Sequence, residues 1–248
     1  QAGAIGVTGA TSANALARDA DLVIAIGTRL SDFTTGSHAL FGAAPMVSVN
    51  VQAFDALKTD ADKGATVIGD AAQALVALTA ALAGWRAEPA WTTRAREANA
   101  RWRADVDGIV AHNAVPPHAL PYEGDVIGAV QRSDPQSAAN DVVVCAAGTL
   151  PAELHKLWRT SVPGGYHVEY GYSCMGYEIA GGLGVKMALP DREVVVMLGD
   201  GSYLMMNSEI ATAVATGNKL VIVVLDNRGY GCINRLQQAC GGAPFNNM

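Results

Sequence analysis

The sequence predicts an α/β protein made of two doubly wound parallel-sheet domains. Short apolar runs alternate with helix-like segments along the whole chain, and strands alternating with helices build parallel sheets. A stretch rich in arginine and tryptophan, 86–118, separates two such series. Half of the 248 residues are hydrophobic and 16% are charged, so each series can fill a core of its own.

In the first series, 1–85, residues 12–18 predict a helix. DLVIAIG (21–27) predicts a buried strand, MVSVNV (46–51) a second and TVIG (66–69) a third. The alanine-rich segment 71–82 predicts a helix. No G-x-G-x-x-G follows any of these strands, so this domain reads as structural rather than nucleotide-binding.

In the linker, Arg86, Arg94, Arg96, Arg101 and Arg103 alternate with Trp85, Trp91 and Trp102. Two readings stand: a helix that binds an anionic partner, or a linker helix with a solvated face. The acids Glu88, Glu97, Asp105 and Asp107 favour the second. Pro116-Pro117 marks the entry to the next domain.

The second series, 119–248, opens on DVVVCAAG (141–148). A turn and helix, GTLPAELHKLW, follow, with Pro151 placed in the first helical turn. Gly148, Thr149 and the amides beside them then lie at a strand C-terminus, the edge where open α/β sheets bind ligands.

Composition excludes several roles. The net charge is −6 and no Lys/Arg cluster suggests nucleic acid. The longest apolar runs are far too short to span a bilayer. Cysteines 145, 174, 232 and 240 form no C-x-x-C and read as reduced thiols of a cytoplasmic protein. Cys145, in an apolar strand, reads as inert. The chain starts at Gln1 and stops at FNNM with no closing element, so both ends read as cuts through a longer protein.

The most informative stretch is GDGSYLMMNSEIATAVATGNKLVIVVLDN (199–227). The apolar run VVVML ends at Gly199-Asp200-Gly201. A helical segment follows, with Glu209 two turns into it, and a second buried run, LVIVVL, ends at Asp226-Asn227. This spacing predicts two parallel strands with Asp200 and Asn227 side by side at their C-terminal ends. A carboxylate and an amide oxygen suit a hard divalent cation such as Mg²⁺. The amides opening the helix suit an anion, and the glycines permit close backbone approach.

GDG followed at this distance by Asn resembles the thiamine diphosphate signature. One strand upstream, YGYSCMGYEIAGGLGVKMA (170–188) is similar to the Met-Gly-Tyr segment of acetolactate-synthase-like enzymes. That resemblance implies thiamine diphosphate and Mg²⁺ as cofactors. It implies that Met175 wedges under the cofactor and that backbone groups of Ser173 and Met175 hold its aminopyrimidine ring. It also places Cys174 among the cofactor-binding residues, with no need to act as a nucleophile. Asp200, Asn227 and the carbonyl of Gly229 would hold the metal. Gly148, Thr149, Gly199, Gly201 and Ser202 would line the diphosphate.

The phrases AAGTLPAELHKLWR, GDGSYLMMNSEIATAV and ACGGAPFNN look more like the trihydroxycyclohexanedione hydrolase family of myo-inositol catabolism than like acetolactate synthase. Asp226, Glu178 and Leu236 each depart from the acetolactate synthase pattern. The resemblance implies hydrolytic opening of a polyhydroxylated cyclic 1,2-dione to 5-deoxy-glucuronate, with thiamine as electron sink. It also implies a homo-oligomer, dimer or tetramer. Glu169, His167, Tyr170 and Tyr172 are candidates to line the substrate pocket. The activating Glu of such enzymes sits in an N-terminal pyrimidine-binding domain. No residue here is assigned that role, and Glu153, Glu169, Glu178 and Glu209 are not substitutes. By itself this stretch is expected to be inactive. The alternatives are an acetolactate-synthase-like carboligase or decarboxylase, and a non-catalytic module that keeps the fold.

Overall fold

Every strand pairing between described residues is parallel, as the alternation of strands and helices requires. The computed structural model describes residues 2–42, 44–58, 64–112, 120–133, 140–160 and 162–247. The chain divides into two units, Gln1–Asp105 and Val106–Met248.

The first unit contains α1 (Thr11–Arg18), β1 (Val23–Ile26), α2 (Asp32–Thr35), β2 (Met46–Asn50), α3 (Ala53–Ala56), β3 (Gly64–Ile68) and α4 (Ala71–Ala81). Its sheet has the order β1-β2-β3. Ala25, Leu30, Leu40 and Phe41 form its core, with Ile5, Val23 and Met46 packed against them. Caps set the helix starts: Ser31 Oγ accepts from the Thr34 amide, and Asp70 Oδ1 from the Gln73 amide at 3.0 Å. Asn14 ties the N-terminal loop to α1 by pairing its side-chain amide with both backbone groups of Gly6, at 2.8 and 2.9 Å.

The segment 21–27 departs from the buried strand expected of it. In β1 only Ala25 is buried, and Ile24 is 45% exposed. The cause is position: β1 is an edge of the described sheet and lacks a neighbour on one side. At the opposite edge all of β3 is exposed, and α4 buries no residue.

Helix α5 (Pro89–Ala111) covers most of the arginine-rich stretch, and its only buried residue is Val106. Arg94 pairs with Asp19 and lies 5.9 Å over the Trp91 ring; Arg101 faces Glu97 at 4.0 Å. Acids take up these cations along the helix, the pattern of a solvated face. Pro116-Pro117 lies outside the described residues.

The second unit contains α6 (Glu123–Ser133), β4 (Val142–Cys145), α7 (Thr149–Leu157), β5 (Tyr166–Val168), α8 (Tyr177–Ala188), β6 (Val194–Gly199), α9 (Asp200–Met205), α10 (Glu209–Ala215), β7 (Val221–Leu225) and α11 (Gly231–Ala239). Its sheet has the order β5-β4-β6-β7. All of β4 and the body of β6 are buried. Alternate residues point to opposite faces. Val142, Val144, Val194, Val196 and Leu198 therefore share one face, where Ile179 of α8 joins them and Tyr203 and Ile210 pack alongside. Gly182 lets α8 approach this closely, because a Cβ there would lie 2.3 Å from Val196 Cγ2. α6 and α7 pack on each other, and α7 also lies against β6.

Two expectations for this unit are corrected. The run 220–225 is only half-buried as β7, again because it is an edge strand. The segment after Gly201 is two helices, not one. Met206 (φ −150°, ψ 72°) leaves the helical region, and Asn207 and Ser208 follow. Such residues bond locally to the backbone and favour helix ends. Glu209 therefore opens α10 rather than lying two turns into a continuous helix. Helices α6 and α11 and the short β5 went unread in the sequence.

Candidate cofactor site

Chain order and sheet order differ at one place in the second unit. From β4 the chain moves outward to β5, then crosses back to β6 on the other side of β4. The C-terminal ends of β4 and β6 thus flank a topological switch point, the crevice where open α/β sheets bind ligands. Parallel pairing puts the ends of β5 and β7 on the same edge.

Four loops meet that edge. After β4, Gly148 precedes α7 with φ 113° and ψ −166°, a conformation that favours glycine. Thr149 is the first residue of α7. After β5 comes the loop of Ser173, Cys174 and Met175. Ser173 has φ 57°; Ser173 and Cys174 are exposed, and Met175 is half-buried. After β6, Gly199 ends the strand and Asp200, Gly201 and Ser202 open α9. After β7, Asp226 Oδ1 accepts from the Arg228 amide at 2.8 Å, closing a turn that presents Asn227 and Gly229.

Asp200 and Asn227 stand together, as β6 and β7 are neighbours with Gly199 opposite Leu225. Asp200 Oδ1 accepts from the Asn227 amide at 3.4 Å. Asn227 Oδ1 is buried and, among the described residues, has no hydrogen-bond partner. A buried polar oxygen without a partner is costly and calls for an explanation. Beside a carboxylate, a hard cation supplies one, because it takes oxygen ligands. Among the described residues no three His, Cys, Asp or Glu side chains converge on a metal position. A cation here would draw on Asp200, the Asn227 amide oxygen and backbone carbonyls such as that of Gly229.

Two residues of the GDG turn differ from their expected use. Gly201 is required by the protein itself: a Cβ there would lie 2.8 Å from the Tyr230 ring. Ser202 is turned inward and 2% exposed. Its hydroxyl donates to Glu178 Oε1 at 2.8 Å and accepts from the Gly176 amide at 2.9 Å. What Ser202 can offer a diphosphate is its backbone N–H. The same bonds join the Met175 loop to the start of α9. Gly148 and Thr149 reach the group through strand pairing alone.

Among the residues near this edge, Cys145 is fully buried, and burial pushes its thiol up to about 12. That suits an inert core cysteine. His167 and Tyr177 are stacked, with Nε2 and the hydroxyl 2.7 Å apart. Glu169 accepts from the amides of Tyr172 at 2.9 Å and Cys174 at 2.8 Å. The Cys174 and Tyr172 amides hold its carboxyl below the usual range. Glu169 thus shapes the loop. Glu178 and Gly176 were not read as part of the site. The sequence signals were the departure of Glu178 from the acetolactate synthase pattern and its place as an acid in a helix that is otherwise largely small and apolar.

Comparison with known proteins finds a family for each series of strands. Residues 146–248 match the family model of the thiamine pyrophosphate enzyme C-terminal TPP binding domain, and residues 1–78 match that of the central domain. The chain belongs to the thiamine pyrophosphate enzymes. Within them it is similar to 3D-(3,5/4)-trihydroxycyclohexane-1,2-dione hydrolases. Identity is 41% to that of Geobacillus thermodenitrificans, covering 98% of this chain and 40% of the relative. It is 41% to that of Clostridium perfringens, covering 96% and 40%. It is 38% to that of Bacillus subtilis, covering 98% and 41%. The chain spans about two fifths of the length of these relatives.

Proposed function

We propose that this chain supplies the thiamine diphosphate and Mg²⁺ site of an enzyme that hydrolytically opens a trihydroxycyclohexane-1,2-dione. The observation that carries the reading is the orphaned Asn227 oxygen beside Asp200, at the end of two paired strands. Asp200, Asn227 and the Gly229 carbonyl hold the cation. Backbone N–H groups at Gly148, Thr149 and the opening of α9 would hold the diphosphate beside that cation. Met175, with the free amides around it, sets the cofactor's shape. Bound there, thiamine diphosphate would supply an electron sink for carbon–carbon cleavage. The metal works as anchor and template.

His167, Tyr177 and the exposed Tyr172 stand near the end of β5 and suit a hydroxylated ring. The similarity to the dione hydrolases supports this substrate class over pyruvate. The domain order is central domain (1–85), linker (86–118) and diphosphate-binding domain (119–248). We place the protein in the cytoplasm: no described helix is long and apolar enough to cross a membrane, and Cys174, Cys232 and Cys240 are free and exposed. Exposed Leu204, Val214 and Phe245 support a homo-oligomer.

The test is to give the full-length protein thiamine diphosphate, Mg²⁺ and the trihydroxy dione, and to follow the acid product. Ring opening with negligible pyruvate consumption is expected. Brisk pyruvate consumption without ring opening would overturn the hydrolase reading.

A further inference from the structure

The loop that carries Met175 is held by two carboxylates, one inside the fold and one at its surface. Glu178 is fully buried on the first turn of α8. Its Oε2 accepts from the Gly176 amide at 2.9 Å, and its Oε1 from the Ser202 hydroxyl at 2.8 Å. Ser202 in turn accepts from the same Gly176 amide at 2.9 Å, so three groups close a ring of hydrogen bonds. On the surface, Glu169 takes the amides of Tyr172 and Cys174. The amides of residues 172, 174 and 176 are therefore all committed to carboxylates. Among the described residues, the amides of Ser173 and Met175 between them have no protein partner.

A buried carboxylate is costly unless hydrogen-bonded. The short loop after β5 cannot satisfy Glu178 alone; it needs Ser202, two residues past Asp200. The bond ring therefore fixes the Met175 loop relative to the metal-binding turn. Gly176, with φ 90°, fits beneath the Met206 side chain, where a Cβ would lie 3.0 Å from Met206 Cβ. Any shift of the loop would break both contacts.

We propose that Glu178 and Glu169 are positioning residues. Together they aim the free amides of Ser173 and Met175, and the Met175 side chain, at the cofactor. Glu178 is the dominant member because its bonds are buried and link two loops. Neither residue touches the reacting atoms. This inference rests on the thiamine diphosphate reading above.

The test uses the full-length protein and its Glu178→Ala, Glu178→Gln, Ser202→Ala and Glu169→Ala variants. Two readouts avoid turnover. Amide hydrogen exchange without cofactor reports residues 172, 174 and 176. Titration with thiamine diphosphate in Mg²⁺ reports affinity. Glu178→Ala is expected to lose protection at Gly176 and to bind the cofactor roughly 10- to 100-fold more weakly, the usual cost of losing a group that orients a ligand-binding residue. Glu178→Gln, which can still accept from Gly176, is expected to recover most of that affinity. Ser202→Ala should fall between them, and Glu169→Ala should lose protection at residues 172 and 174 with a smaller loss of affinity.

Wild-type affinity in a folded Glu178→Ala variant would overturn the proposal and leave the cofactor assignment standing. Should Glu178→Ala fail to fold, unchanged affinity and protection in Ser202→Ala would overturn it equally. A wild-type protein that binds no thiamine diphosphate would overturn both.

Discussion

Asn50 closes strand β2 of the first unit, and Asn227 stands two residues past β7 of the second. Both lie at the C-terminal edge of a parallel sheet. The Asn50 side chain is fully used: Nδ2 donates to the Thr28 carbonyl at 2.9 Å, and Oδ1 accepts from the Gln52 amide at 3.0 Å. Lys58 caps the Arg29 carbonyl nearby at 2.7 Å. Among the described residues, Asn227 Oδ1 is buried beside a carboxylate without a partner. The lesson is that an asparagine at a strand end is not a ligand by type. One edge uses up its own polar groups, and among the described residues the other leaves a buried oxygen unused beside a carboxylate.

The largest expected effect breaks the open edge. Asp200→Ala in the full-length protein should weaken Mg²⁺-dependent thiamine diphosphate binding by about 100-fold or more, since it removes a ligand rather than a supporting group. Circular dichroism should show the fold intact. Undiminished affinity would refute the metal site.

Met175→Ala sharpens the same edge. It should leave diphosphate anchoring in place but slow proton exchange at the thiazolium carbon by roughly 100-fold, the cost of about 1 Å of misplacement. An unchanged exchange rate would make Met175 core filler.

The closed edge gives the control. Asn50→Ala strands the Thr28 carbonyl and the Gln52 amide and should cost about 1–3 kcal/mol of stability. Cofactor affinity should not move. Chemical denaturation and a thiamine diphosphate titration on the same sample separate the two; a loss of affinity would erase the contrast between the edges. Gly182→Ala, which forces a methyl onto Val196, should likewise cost about 1–3 kcal/mol by overpacking.

The smallest effect is pH dependence in the Met175 loop. Glu169 has its pKa lowered by the Cys174 and Tyr172 amides. A lowered carboxyl holds its loop fully at pH above the ordinary value of 4.5 and releases it as pH falls through the lowered value. The amide resonances of Tyr172 and Cys174 should therefore titrate below pH 4.5. Titration at or above that value, or its persistence in Glu169→Gln, would break the assignment.

The sequence by itself determined the class of fold and the placing of Asp200 beside Asn227. Period and run length mark parallel strands, and the distance from Asp200 to Asn227 is one strand–helix–strand unit, so local rules suffice. The long phrases around Met175 also carried the resemblance that the family comparisons support. Only the tertiary structure decided the rest. Burial of 21–27 and 220–225 depends on neighbouring strands, which an apolar run does not reveal. The break at Met206 had a local signal in Asn207-Ser208, which went unread. The inward turn of Ser202, the Tyr230 ring over Gly201 and the Glu178 ring join residues up to 29 positions apart. Hydrogen bonds at such separation leave no period in a sequence. They exist because parallel pairing brings the loops after β5, β6 and β7 to one edge, where a buried carboxylate must find its partners.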